Sequence, residues 1–250
     1  MIRNSVARVR NCDGKTVMRL EFGFPLLVDQ VEGNRLWCNF SSYGWVHVRD
    51  VELITPKSLQ IFDRRYRFRG RDWRTHHVRG QLALALGNND AALLDLDMAI
   101  RGCQTFSGLY ATRASIWLTM QNYDECIRDC NRALAINPRN DNAYYYRALA
   151  FKDTHQHELA IADLNHLIDK NPRDALFWYY RGCVYLRLGE FSAALTDLSN
   201  SIDLHPTNPY CFFARAEVYS QMKQPDASAN DLQAAYALRP DLMTTAVEQQ

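Results

Sequence analysis

Little in this sequence points toward a membrane, a secretory route, a nucleic acid or a catalytic centre. Its 29 basic and 28 acidic residues leave a net charge of only +1. That balance gives no general attraction to nucleic acid or to an anionic membrane surface. No apolar run approaches the roughly 20 residues that a spanning helix needs. The opening Met1-Ile2-Arg3-Asn4-Ser5 lacks a long apolar stretch, so no signal peptide is expected. The seven cysteines, Cys12, Cys38, Cys103, Cys126, Cys130, Cys183 and Cys211, are odd in number, scattered, and form no CxxC pair. This speaks against a disulfide framework and a zinc site, and favours reduced, mostly buried thiols in a cytoplasmic protein. Phosphate-loop, GxSxG and HExxH motifs are all missing. No catalytic residue, cofactor, metal or small-molecule substrate is therefore assigned, and enzymatic activity is not expected.

What the chain does have is a period. With 47% hydrophobic and 23% charged residues it has the composition of a folded chain. Prolines recur 34 residues apart at Pro138, Pro172, Pro206 and Pro240. The same step recovers an arginine column, Arg79, Arg113, Arg147, Arg181 and Arg215, each followed by a small residue: Gly80, Ala114, Ala148, Gly182 and Ala216. It also recovers an aspartate column, Asp95, Asp129, Asp163, Asp197 and Asp231. The frame gives five units, 73–106, 107–140, 141–174, 175–208 and 209–242. In the fourth, apolar periodicity predicts helices over about 176–188 and 192–204, with Gly189-Glu190 as the turn and His205-Pro206 as the stop. Proline ends a helix because it lacks the N–H and disfavours helix at the residue before it.

These units resemble tetratricopeptide repeats. The fourth carries Trp178, Arg181-Gly182, Tyr185, Gly189, Phe191, Ala194 and Pro206 at that family's spacing. The resemblance implies an all-α superhelix, an α-α solenoid of stacked helical hairpins. Small residues at the columns above, and at Ala92, Cys126, Ala160, Ala194 and Ser228, would let paired helices approach closely. The arginine and aspartate columns depart from the commonest family pattern. Sixteen residues separate them, one on each helix of a hairpin. An intra-repeat ion pair such as Arg181–Asp197 is expected, and a row of ligand-binding arginines is the alternative.

Ahead of the repeats the rhythm changes. Residues 56–72 form a capping helix and linker, with Pro56 suited to a first helical turn and an arginine cluster at Arg64, Arg65, Arg67, Arg69 and Arg71. That cluster reads as a solvated helix face or as an anion contact. Residues 1–55 predict short strands at 6–10, 17–20, 25–30, 36–40 and 45–48, with a last one near 51–54. The run Gly44-Trp45-Val46-His47-Val48-Arg49-Asp50-Val51 resembles bacterial SH3-like domains. The expected whole is thus a small SH3-like β-barrel before an α-solenoid, an α+β multidomain chain, with 243–250 as a C-terminal tail. Trp37, Tyr43 and Trp45 could form an aromatic groove for a peptide or cell-wall ligand, or else fill the barrel core.

In the family the concave face is lined by the first helix of each repeat. Carried over, those positions hold Asn142, Tyr145, Tyr146, Lys152, Tyr179, Tyr180, Arg187, Tyr210 and Phe213. Tyr145, Tyr179 and Phe213 are expected to form an aromatic ladder, because Tyr144, Trp178 and Phe212 are expected to fill the adjacent core column. The other reading is that these rings only pack between repeats. Some family members clamp the acidic tails of chaperones through lysines and asparagines. The matching positions here are Tyr145, Leu149, Tyr179 and Cys183, so that ligand is not expected. The resemblance implies a non-enzymatic scaffold that holds an extended, partly apolar peptide of a protein partner. Self-association through the last repeat, at Leu232, Tyr236 and Leu238, is the structural alternative. Two further clusters read as structural: Cys126 with Cys130 as core, and His155 with His157 as turn residues.

Overall fold

A computed structural model of the chain describes residues 73–240 fully, together with the backbones of five strands nearer the N-terminus. These are β1 (Val6–Arg10), β2 (Thr16–Glu21), β3 (Val28–Glu32), β4 (Arg35–Cys38) and β5 (Gly44–His47). They pair antiparallel in the order β2-β1-β5-β4-β3. The third strand lies further along than the 25–30 that the sequence predicts. The SH3-like assignment, the side chains of Trp37, Tyr43 and Trp45, the capping helix at 56–69 and the tail at 243–250 lie outside the described residues.

Ten helices follow among the described residues. They are α1 (Trp73–Ala85), α2 (Asn89–Gly102), α3 (Ser107–Thr119), α4 (Tyr123–Ile136) and α5 (Asp141–Asp153), then α6 (His157–Lys170), α7 (Ala175–Leu188), α8 (Phe191–Leu204), α9 (Pro209–Gln221) and α10 (Pro225–Leu238). Two fall in each 34-residue frame. The chain divides into two compact units, Met1–Ile116 and Trp117–Gln250. Among the described residues no helix is long and apolar enough to cross a membrane.

Each hairpin turns through one residue with left-handed backbone: Gly87, Gln121, His155, Gly189 and Lys223, with φ of 76°, 59°, 60°, 77° and 57°. The next N–H then returns to the carbonyl five residues back, as from Gln156 to Phe151 at 2.8 Å and from Glu190 to Tyr185 at 3.0 Å. This closure satisfies carbonyls left open at the end of the first helix. Only two of the five turns use glycine, so the turn geometry is stronger than the residue preference. Between repeats, Asn140, Asp174 and Asn208 cap α5, α7 and α9, accepting from the N–H groups of Ala143, Leu176 and Tyr210 at 3.0–3.2 Å.

The small-residue column marks where the two helices of a hairpin meet. A Cβ added to Gly182 would lie 2.8 Å from Leu198 Cγ. Ala114, Ala148 and Ala216 sit buried at the same place in their repeats. In the first unit the core holds Ala83, Ala92, Leu96, Ala99, Leu109 and Ile116. In the second, Ala148, Ala160, Leu164, Leu167 and Val184 form one cluster, and Ala194, Leu198 and Val218 another. Cys126, Cys130 and Cys211 are buried free thiols.

Candidate functional site

The two charged columns meet as forked ion pairs. Arg147 Nε and Nη2 donate to the two carboxylate oxygens of Asp163 at 2.8 and 2.7 Å. Arg181 does the same to Asp197 at 2.7 and 2.8 Å, and Arg215 to Asp231 at 2.7 and 2.8 Å. In the first repeat Arg79 grips Asp95 with Nε and Nη2, the latter at 2.5 Å. The aspartates are buried and the arginines half-buried. Parallel N–H···O bonds of this kind are among the stronger polar contacts in proteins. The hydrogen bond to each aspartate raises the pKa of Arg147, Arg181 and Arg215. These guanidinium groups are committed within the fold and are not a free row for ligand.

A second set of partners has the same period. Arg113 Nη1 reaches Asp97, Arg147 Nη1 reaches Asn131 and Arg181 Nη1 reaches Asn165, each at 2.6 Å, while Arg215 Nη1 reaches Ser199 at 3.0 Å. Each acceptor lies sixteen residues before its arginine, on the second helix of the preceding repeat. Arg147, Arg181 and Arg215 thus each join their own hairpin and also tie it to the one before. The signal in the sequence is a polar column of period 34, Asp97, Asn131, Asn165 and Ser199, which varies in residue type. Asp129, the aspartate of the second repeat, is buried in α4.

Aromatic rings cover the guanidinium groups. Arg147 lies over Tyr144 at 5.5 Å and Phe151 at 5.8 Å; Arg181 lies over Trp178 at 4.9 Å and Tyr185 at 5.9 Å. Arg215 lies over Phe212 at 5.9 Å. The column of Tyr144, Trp178 and Phe212 is half-buried and lies against arginine, and Tyr144 also packs on the Ala148–Leu164–Val184 core cluster. Trp178 Nε1 donates to the carbonyl of Pro172 at 2.9 Å, and Tyr144 stacks on His166 at 4.1 Å. Rings placed this way supply cation–π attraction while shielding the ion pairs from water.

The first helices of repeats three to five carry the remaining aromatics. Tyr145 on α5 contacts Tyr180 edge-on at 5.8 Å and Phe177 at 6.1 Å, both on α7, and its own neighbour Tyr146 at 5.4 Å. Tyr179 meets Tyr180 at 5.1 Å and packs on the Ala194–Leu198–Val218 cluster. Phe213 meets Tyr236 of α10 at 5.3 Å. The step from repeat three to four therefore passes through Tyr145 and Tyr180. Burial is the first cause that pushes the phenols of Tyr145 and Tyr179 well above their ordinary range. Tyr210 is 50% exposed. Asn142 and Arg187 are exposed and Tyr146 is half-buried. The Lys152 ammonium is mostly covered and pairs with the Asp153 carboxylate.

Three smaller clusters complete the account. Cys126 and Cys130 are buried on one face of α4, and the hydrogen bond from Cys126, with burial, raises the Cys130 thiol far above its usual value. His155 and His157 meet edge to face at 5.7 Å in the third turn. In the first repeat His76 Nδ1 lies 3.1 Å from Asp95, while burial lowers the His77 pKa to about 4.

Paired helices in 34-residue frames, small residues at the crossing and proline at the break define a tetratricopeptide-repeat fold. Residues 147–209 match the family model described as tetratricopeptide repeat. Among solved structures, the chain is similar to YrrB, described as a TPR protein with an unusual peptide-binding site, at 17% identity and a TM-score of 0.60, covering 76% of this chain and 98% of that one. It is also similar to MamA from Desulfovibrio magneticus RS-1, at 16% identity and a TM-score of 0.63, over 68% and 96% of the two chains. A third is TTC0263, a thermophilic TPR protein of Thermus thermophilus, at 23% identity and a TM-score of 0.58, over 70% and 96%. No curated protein sequence matches the chain.

Proposed function

We propose that the chain is a non-enzymatic scaffold that binds an extended, partly apolar peptide of a protein partner on the first helices of repeats three to five. The observation that carries this reading is the exposure of Tyr210, together with half-buried Tyr145, Tyr146, Tyr179, Tyr180 and Phe213, all on the first helices of these repeats. Tyr145 packs on Phe177 and Tyr180 of the next first helix, while Phe213 packs on Tyr236 within its own hairpin. Their remaining edges, with Asn142, Lys152 and Arg187, are the contact surface. Tyrosine suits such a surface because it offers large area, a polar tip and little side-chain entropy to lose. The fold fits this role, since hairpin repeats commonly serve as interaction modules and the similar YrrB is described as having a peptide-binding site. The SH3-like reading of residues 1–55, with its trio Trp37, Tyr43 and Trp45, stays an expectation of the sequence.

The experiment is selection of a displayed peptide library against the full chain. Selected peptides are then measured on wild type, on Tyr210→Ala, and on Leu94→Ser as a control on an exposed residue of α2. Tyr210→Ala is expected to weaken binding about tenfold, as for a hot-spot tyrosine. Equal loss in the control, or none in Tyr210→Ala, would sink the assignment to this face.

A further inference from the structure

The proposed peptide face has two chemically different ends. Tyr145, Leu149 and Lys152 lie at i, i+4 and i+7 on α5 and so share one stripe of the helix. Tyr179, Cys183 and Arg187 lie at i, i+4 and i+8 on α7. The Tyr145 contacts with Tyr180 and Phe177 place α5 beside α7. Each stripe is thus aromatic near its helix N-terminus and basic in the last turn.

The two cations differ in state. The ammonium of Lys152 is held by Asp153 and its side chain is only 16% exposed. Arg187 is exposed and makes no hydrogen bond or ion pair among the described residues. Both act on one thiol: Cys183 is raised by burial to about 11, and Lys152 and Arg187 each pull that value down. The Lys152 charge is offset by Asp153, whereas the exposed Arg187 is left to receive an anion. Arginine presents planar paired donors that match a carboxylate.

Resting on the peptide-face reading, we infer that the bound peptide carries an acidic side chain, which Arg187 holds beyond the aromatic anchors of α5 and α7. At 1.5 Å per helical residue, seven or eight residues separate the aromatic and basic ends by roughly 10–12 Å. The ligand class is therefore an extended peptide with an apolar side chain and a Glu or Asp whose tips span about that distance.

The test uses synthetic peptides with one Phe anchor and one Glu placed one to four residues further on, matched by sets carrying Gln and Lys instead, all bound to the full chain. The best Glu peptide is expected to bind about tenfold more tightly than its Gln counterpart, with the Lys peptide weakest. That preference shrinks with added salt, as a partly exposed charge contact must. Arg187→Glu is expected to reverse the order, so that the Lys peptide binds best. Equal binding of the Glu and Gln sets would overturn the acidic-residue assignment and leave the aromatic face standing. Failure of all three sets would overturn both.

Discussion

Arg181 and Asp197 face each other across a hairpin, sixteen residues apart, with both guanidinium prongs on both carboxylate oxygens at 2.7 and 2.8 Å. The carboxylate side chain is 4% exposed and the arginine 16%. Removing one member leaves the other as an unsatisfied charge in a covered place, and that loss outweighs the modest net worth of the intact pair. Asp197→Ala is expected to lower stability by about 3 kcal/mol, whereas the double replacement Arg181→Met with Asp197→Leu costs clearly less. Chemical denaturation of the wild type and the two variants checks both expectations; a double variant as weak as the single would refute the account.

Asn165 receives the same arginine from the preceding repeat. Asn165→Ala leaves the hairpin pair in place and removes only the tie between repeats. A hydrogen bond to a charged group contributes about 1.5–3 kcal/mol when it is buried, and the half-buried site places this one at the lower end. The expected result is a loss of roughly 1.5 kcal/mol. Because repeat stability is a sum of internal and nearest-neighbour terms, the unfolding transition also broadens. Calorimetry that returned an unchanged width and midpoint would argue against an inter-repeat role.

Gly182 sets two effects against each other. Alanine is favoured over glycine in a helix interior by about 1 kcal/mol. The added Cβ would lie 2.8 Å from Leu198 Cγ and 3.3 Å from Asp197 Cβ. Overpacking of that kind costs typically about 1–3 kcal/mol, so the clash prevails. Gly182→Ala is expected to destabilise by about 1 kcal/mol. Adding Leu198→Ala should make the glycine replacement favourable relative to Leu198→Ala alone, which a double-mutant cycle would read directly.

His77 gives the first repeat a pH dependence. Its folded pKa is about 4 against an ordinary 6.5, because burial disfavours the cation. Between about pH 4 and 6.5 the unfolded chain therefore binds the proton and the folded chain does not. The stabilisation is fully present above pH 6.5 and is lost as the pH falls from 6.5 toward 4. The loss is up to about 3 kcal/mol across that window. Comparing wild type with His77→Gln cancels other titrating groups: the variant should lose less stability between neutral and mildly acid pH. Parallel curves would contradict the assignment.

The repeat was legible in the sequence because a 34-residue period leaves its mark at positions where substitution is costly. Gly182 and its counterparts must be small where helices cross, Pro206 and its counterparts mark the break, and the arginine and aspartate columns are invariant across the five repeats. The face for a partner was legible only as a list of first-helix positions. Side-chain contacts distributed Tyr145, Tyr179 and Phe213 among different neighbours, so a ladder inferred from spacing became a set of separate packing contacts. The turns at Gln121, His155 and Lys223 carry no glycine, and their left-handed backbone came from closure of the hairpin.

By itself, then, the sequence determined the period, the hairpin units and the two charged columns, since each is fixed by local chemistry repeated in register. Tertiary structure alone decided that each arginine from the second repeat onward reaches back to Asp97, Asn131, Asn165 or Ser199, and that Tyr144, Trp178 and Phe212 lie against guanidinium groups. Those outcomes depend on how one hairpin rests on the next. A residue sixteen positions back and one sixteen positions ahead are equally distant in sequence, and only the packing of three helices brings both to the same side chain.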